Sequence, residues 1–321
     1  MSYLLAPCRA AVLLLAFLLS ASLSLADPAT MQLLSLGRMN DAIQLLLNRD
    51  DAESLHLLSR AYYATEHFDE AVKSGERAVA LRPGDSNFHL WLARAYGMKA
   101  AGANPLLAAN LARKAKAEFE RSVQLDPSNT DARSDLSEYY VEAPVFMGGG
   151  LDKARDQARQ MTKLDVAASH AVLAQIATRE KQFGEAEGQY QQAIKTAKHP
   201  AGYWLQLASF YRSQGRLDDM QKAVTEAIAE PGKSAATYYD AANLLYQAGR
   251  DFPSAIQYLN SYLASGQLVE DAPAFRAHFL LGEILRKSGE LSQAAAEFKA
   301  ALALASSYRP AAESLSRLER R

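Results

Sequence analysis

The sequence predicts an all-α solenoid of stacked antiparallel helix pairs. Three observations predict it. A residue pattern recurs about every 34 residues from Ala52 onward. Small residues and large aromatics hold fixed places within that pattern, and prolines and glycines fall where the helices of such pairs must end. The composition suits a packed chain: 321 residues, 49% hydrophobic, 22% charged, net charge −1. Near-neutral charge speaks against nucleic-acid binding, which needs a basic surface. The single cysteine, Cys8, excludes an intrachain disulfide and a cysteine-based zinc site.

The repeat is clearest when residues 52–85 are laid on residues 201–234. Leu58 and Leu207 are followed by a small residue, Ser59 or Ala208, and three residues on by Tyr62 or Tyr211. The same first-helix pattern returns as Leu92, Ala93 and Tyr96, then as Leu136, Ser137 and Tyr140, and as Leu281, Gly282 and Leu285. The second helix carries a small or flexible residue at 71, 115, 154, 186, 220, 255 and 294, at separations of 44, 39, 32, 34, 35 and 39. In an antiparallel pair, close approach needs a small side chain on each facing surface, and the aromatics fill the space beside it. Second helices end at Pro83, Pro127 and Pro231, whose rings cannot continue a helix. Gly215, Gly249 and Gly289 stand at the turns inside pairs, where a left-handed residue is needed.

This pattern resembles the tetratricopeptide repeat over about residues 52–307. The resemblance implies a right-handed α-solenoid of about seven helix pairs with terminal capping helices. Residues 27–51 read as N-terminal capping helices, 52–307 as the solenoid and 308–321 as an amphipathic closing helix.

Before these lies an apolar start. Arg9 is followed by ten uncharged residues to Leu19, and the small residues Ser24 and Ala26 flank Leu25. That is the layout of a signal peptide over residues 1–26, so the chain is expected to be exported, to a periplasm or beyond. The alternative is an uncleaved inner-membrane anchor over residues 10–26, which is short for a span and holds three serines. With cleavage, no stable membrane span is expected.

Two repeats are too long. The first carries extra residues around 99–105 and reads as longer helices joined by a wider turn. The second contains YYVEAPVFMGGG, from Tyr139 to Gly150. It is similar to the AP-x-x-x-GG insert of some bacterial tetratricopeptide proteins and of the regulator of microtubule dynamics family. Pro144 should end the preceding helix, Gly148, Gly149 and Gly150 should permit positive φ, and Phe146 and Met147 should tuck against a neighbour. The glycines lack the lysine of a phosphate-binding loop. The segment is therefore a structural loop and a candidate contact site.

No catalytic or metal-binding pattern stands out among the six histidines or the carboxylates. No cofactor is expected and the chain reads as a non-enzyme. By the family resemblance, first-helix residues turned away from their partner helix line a concave groove. These are His56, Arg60, Tyr63, Leu90, Arg94, Glu138, Gln175, Leu205, Arg212, Asp240, Phe279, Glu283 and Arg286. Arg60 and Arg94 hold equivalent places in successive repeats and should project together, ready to grip a carboxylate. The expected role is a protein- or peptide-binding scaffold or assembly factor of a bacterial envelope. The alternative is a carbohydrate- or small-ligand-binding envelope protein using Tyr62, Tyr63, Trp91 and Tyr96.

Overall fold

The computed structural model describes residues 28–320. The expected signal peptide therefore lies outside the described residues. Two short helices come first, α1 (Pro28–Ser35) and α2 (Met39–Leu46). Seven full pairs follow: α3 (Ala52–Ala64) with α4 (Phe68–Leu81), α5 (Ser86–Ala101) with α6 (Pro105–Leu125), α7 (Thr130–Glu142) with α8 (Leu151–Met161), α9 (Val166–Arg179) with α10 (Phe183–Thr196), α11 (Ala201–Ser213) with α12 (Leu217–Ala229), α13 (Ala236–Ala248) with α14 (Phe252–Ala264), and α15 (Ala274–Lys287) with α16 (Leu291–Leu304). The last helix is α17 (Arg309–Glu319). The described residues hold no named strand, and the chain is an all-α solenoid.

The small residues sit at the helix contacts, as their spacing predicts. Ala71, Ala115, Ala154, Ala186, Ala255 and Ala294 are all buried. The Ser59 hydroxyl reaches across its pair to donate to the Ala71 carbonyl at 2.7 Å. A Cβ on Gly282 would stand 2.6 Å from Cε1 of Phe298, so that site admits only hydrogen. Neighbouring repeats are tied by tyrosines of the same signature. Tyr140 donates to Glu120 and Tyr211 to Glu187, both at 2.7 Å, and Tyr96 donates to Glu76.

Six of the turns inside pairs share one device. A residue in left-handed conformation follows the helix, and the next amide donates to the carbonyl five residues back, at 2.8–3.0 Å. Gly37, Gly215, Gly249 and Gly289 fill the left-handed place, but Glu66 and Lys181 fill it in α3–α4 and α9–α10. The α5–α6 and α7–α8 turns, the two with insertions, are built differently.

The stack does not end in two free caps. It closes on itself. Leu34, Met39, Leu57 and Leu58 from α1–α3 share one core with Phe275 of α15, Ala301 of α16, Tyr308 and Ala311. Asn40 Nδ2 donates to the Ala303 carbonyl at 3.1 Å, and the Ser306 amide donates to Asn40 Oδ1 at 2.9 Å. Gly37 lies so close to α15 that a Cβ there would sit 2.6 Å from the Ala274 nitrogen. Within the segment expected to cap the N-terminal end, residues 28–51 also bridge the first repeat to the last. What the repeat pattern left out is the rotation per pair, which accumulates until the ends meet.

Two outcomes test this packing. Gly282→Ala should destabilise the protein by about 1–3 kcal/mol through overpacking against Phe298, read by urea unfolding. Lys181→Gly should raise stability by a net of about 0.5–1 kcal/mol. That is the left-handed cost of an L side chain less the extra freedom glycine gives the unfolded chain.

Candidate functional site, the inner channel

Closing the stack turns the concave groove into a channel walled by first helices. Charges from α5, α7 and α15 and from the loop before α15 all act on Tyr63 of α3: Arg94, Asp135, Arg276 and Asp271. Arg60 and Arg94 do share one face of this channel, flanking Trp91. Each guanidinium carbon lies 4.9 Å from the indole centroid, within cation–π range.

Neither arginine waits for a ligand. Arg94 Nε donates to Asp135 Oδ2 at 2.6 Å. Arg60 makes a two-pronged salt bridge with Glu270, 210 residues away in sequence, with Nε donating to Oε1 at 2.8 Å. Glu270 stands at the tip of the loop between α14 and α15. The buried hydroxyl of Tyr262 shapes that loop, accepting from the Val269 amide at 2.9 Å and donating to the Ala272 carbonyl at 2.5 Å. Arg276 extends the contact by donating to the Ala64 carbonyl, the last of α3, at 2.8 Å from Nη2. A cavity of ≈ 120 Å³ remains among Arg60, Tyr63, Trp91, Asp271 and Arg276.

Two carboxylates of the channel wall stand outside these pairs. Asp240 of α13 and Glu138 of α7 form no salt bridge among the described residues. Both touch solvent, yet the surrounding wall replaces much of their hydration, and each also faces another acid. Asp240 is pushed up to about 6 by loss of water and then by Asp271. Glu138 is raised by loss of water and then by Asp135. Beside Glu138 opens a pocket of ≈ 610 Å³ lined by Tyr63, Arg94, Met98, Phe119, Tyr139 and Glu142. A second, of ≈ 520 Å³, takes in Glu138, Gln175, Phe183, Tyr190 and Phe210.

The other expected groove residues divide. His56 and Leu90 are buried in the core. Leu205 is also buried but lines a pocket of ≈ 350 Å³ with Asp240. His56 stacks on Phe88 at 4.4 Å, and burial, then Arg60 and Arg82, lowers it to about 3, so the ring stays neutral. Phe279 packs edge-on against Tyr308 at 5.4 Å in the closing seam. Glu283 is buried; burial alone would raise it, but hydrogen bonds from Arg286 and Ser314 hold it below the usual carboxylate range. Arg286 is therefore occupied by Glu283. Arg212 keeps a buried Nε with no hydrogen-bond acceptor among the described residues. Helical periodicity alone cannot separate a channel residue from one facing the next repeat, which is why His56, Leu90 and Glu283 were read as channel residues.

The insert also departs from expectation. α7 ends at Glu142, before Pro144, as read, and Gly148 has φ +92°. A Cβ on Gly149 would overlap the Ala143 carbonyl. Phe146, expected to tuck inward, is 79% exposed. Met147 is half-buried, and its carbonyl accepts from the Tyr139 hydroxyl at 2.8 Å.

Sequence reasoning missed Trp91 as the platform for both arginines, and it missed Asp135, Glu270, Asp271 and Arg276. A signal for the loop existed. The spacing of 39 residues from Ala255 to Ala294 is as long as the one that betrayed the glycine insert.

The tetratricopeptide-repeat family model matches residues 56–96 and 239–309, two stretches of the same stack. Those two stretches carry the tetratricopeptide repeat, and the fold is that of a tetratricopeptide solenoid. Among solved structures it is similar to yeast Tom70, at 16% identity and TM-score 0.52, over 88% of this chain and 58% of that one. It is also similar to a thermophilic tetratricopeptide protein of Thermus thermophilus (22% identity, TM-score 0.47, 57% of this chain and 95% of that one). A tetratricopeptide repeat protein of Parabacteroides merdae matches at 14% identity and TM-score 0.42, over 84% of this chain and 98% of that one. These likenesses concern the fold. No curated protein sequence matches the chain. Among the described residues no helix is long and apolar enough to cross a membrane.

Two measurements probe the site. Glu270→Gln should lower stability by about 1–3 kcal/mol, because it leaves Arg60 enclosed without its carboxylate; urea unfolding reads it. Asp240 is raised in the folded state, so the fold binds its proton more tightly than the unfolded chain does. Wild-type stability should therefore fall as pH rises from about 4 through about 6. Asp240→Asn should remove that component, so its stability advantage over wild type is near zero at pH 4 and grows toward pH 7.

Proposed function

We propose that the chain is a non-enzymatic scaffold that holds an extended segment of a protein partner in its channel. In this reading it serves as an assembly factor of a bacterial cell envelope, exported by the apolar segment at residues 1–26. Tetratricopeptide repeats are in general protein-interaction scaffolds rather than enzymes. The observation that carries the reading is the channel wall itself. Arg60 and Arg94 are already matched by internal acids, while Asp240 and Glu138 line pockets and form no ion pair among the described residues. A partner segment presenting Lys or Arg would meet both charge and apolar surface there. A partner carboxylate would first have to displace Glu270 from Arg60 or Asp135 from Arg94.

The test is affinity capture from an envelope extract with immobilised wild type and with the double variant Asp240→Asn/Glu138→Gln. Wild type should recover a discrete partner, and the double variant should bind it at least fivefold more weakly with unchanged helical circular dichroism. Equal affinities for the recovered partner would place its contacts outside the channel.

A further inference from the structure

Two pockets of the channel wall stand on either side of α7. Glu138 and Glu142, one turn apart on that helix, line both. The first pocket, ≈ 610 Å³, opens toward α5 and has Met98, Phe119 and Tyr139 for its apolar surface. The second, ≈ 520 Å³, opens toward α9 and α11 and is backed by three rings. Tyr190 and Phe183 both lie against Phe210, with ring centroids 5.6 and 6.4 Å apart. Phe183 is 42% exposed, so an aromatic face is open to whatever enters.

Charge separates the two pockets. The first holds Asp135, Glu138 and Glu142 against Arg94 alone, and Arg94 is taken by Asp135. Glu142 has a distant partner, Arg179 at 4.0 Å, with both side chains more than half exposed. The end of α7 adds to this excess of negative charge. A helix is negative at its C-terminus, and a base in the last turn offsets that. Lys99, Arg179, Arg212 and Arg286 stand there in α5, α9, α11 and α15, whereas α7 has no base in its last turn and ends on Glu142. The second pocket is balanced, because Arg179 and Lys181 line it together with Glu138 and Glu142. The first pocket therefore suits a cation with an aliphatic stem, and the second an uncharged ring.

The polar groups beside the rings suit a peptide main chain. Gln175 of α9 and Gln206 and Ser209 of α11 line the second pocket, and their side chains make no hydrogen bond among the described residues. An amide side chain offers a donor and an acceptor, as each residue of an extended peptide does. A small amine would match the first pocket and leave these groups and the rings unused. A helix is about 10 Å across and an extended chain advances about 3.3 Å per residue, so side chains entering the two pockets stand about three residues apart.

We propose that the channel selects a partner segment that carries a Lys or Arg and, about three residues away, an aromatic residue. The basic side chain lies along Met98 and Tyr139 with its charged head at Glu138. The aromatic side chain stacks against Phe183 and Phe210, and Gln175 and Gln206 hold the main chain beside it. This rests on the channel being where a partner segment lies, and it adds what that segment must carry.

The experiment is fluorescence anisotropy of short labelled peptides titrated with the full chain at low salt. One peptide carries Arg-Ser-Ser-Phe in a Gly/Ser background, and a second carries Phe-Ser-Ser-Arg, which covers both chain directions. At least one should bind saturably, and at least tenfold more tightly than the same peptide with Glu in place of Arg or Ser in place of Phe. Glu138→Gln should weaken binding at least fivefold and leave the peptide lacking Arg unaffected. Phe183→Ala should weaken it at least fivefold and leave the peptide lacking Phe unaffected. Leu81→Ser, at the exposed end of α4, should change neither, and circular dichroism checks that the variants are folded. Absence of saturable binding by both peptides, equal binding of the Glu-containing peptide, or losses that do not follow this assignment each overturn the proposal. If affinity capture recovers a partner that the Asp240/Glu138 double variant loses while neither peptide binds, the channel keeps its partner and the side-chain assignment falls. If the peptides bind as assigned and capture recovers nothing, the assignment stands and the envelope partner falls.

Discussion

Everything in this ring depends on how closely two helices of a pair can approach. At each of the alanines 71, 115, 154, 186, 255 and 294 the contact is made by a methyl group, and at Gly282 by a hydrogen. That short distance lets the tyrosines beside it reach across to carboxylates of the preceding repeat, as Tyr140 does to Glu120 and Tyr211 to Glu187. Each pair is thereby fixed in angle to the next as well as packed on it. A single pair leaves one apolar face bare, so each repeat is stable only with a neighbour.

Closure follows from the same geometry. A solenoid would normally spend its terminal helices on covering the last bare faces. Here the two faces cover each other, with Phe275 and Tyr308 filling the space against Leu34, Met39 and Leu57. Closure brings Glu270 within reach of Arg60 and Arg276 within reach of the Ala64 carbonyl. These contacts span more than two hundred residues of sequence and exist only because the ring is closed. They also decide the character of the channel. With Arg60 and Arg94 neutralised, Asp240 and Glu138 remain as carboxylates without an ion pair among the described residues, both displaced upward by poor hydration and neighbouring acids.

The insertions act on a different edge. Neither disturbs the small-residue contacts, since Ala115 and Ala154 stay buried in the pairs that carry them. Both replace the left-handed hairpin turn used elsewhere, and both place apolar side chains in solvent. The ring thus has an inner wall with unpaired carboxylates and an edge with exposed apolar tips, served by different residues.

What the residues alone determined was local and periodic. The seven pairs, the buried alanines, the left-handed glycines at 215, 249 and 289 and the end of α7 before Pro144 were legible, because helix contacts and turn conformations repeat at fixed spacing. The equivalence of Arg60 and Arg94 was legible for the same reason, and Trp91 between them confirms the register. Which inward residues meet solvent was not legible: His56, Leu90 and Glu283 have the right helical phase but are buried. Nor was the outward pose of Phe146, since an apolar residue in a loop is free to turn either way until its backbone is braced. Above all, the partner of Arg60 could not be read from the chain. Local pattern determines the angle between adjacent pairs only to within a few degrees, and whether those angles add up to a closed ring is decided by their sum.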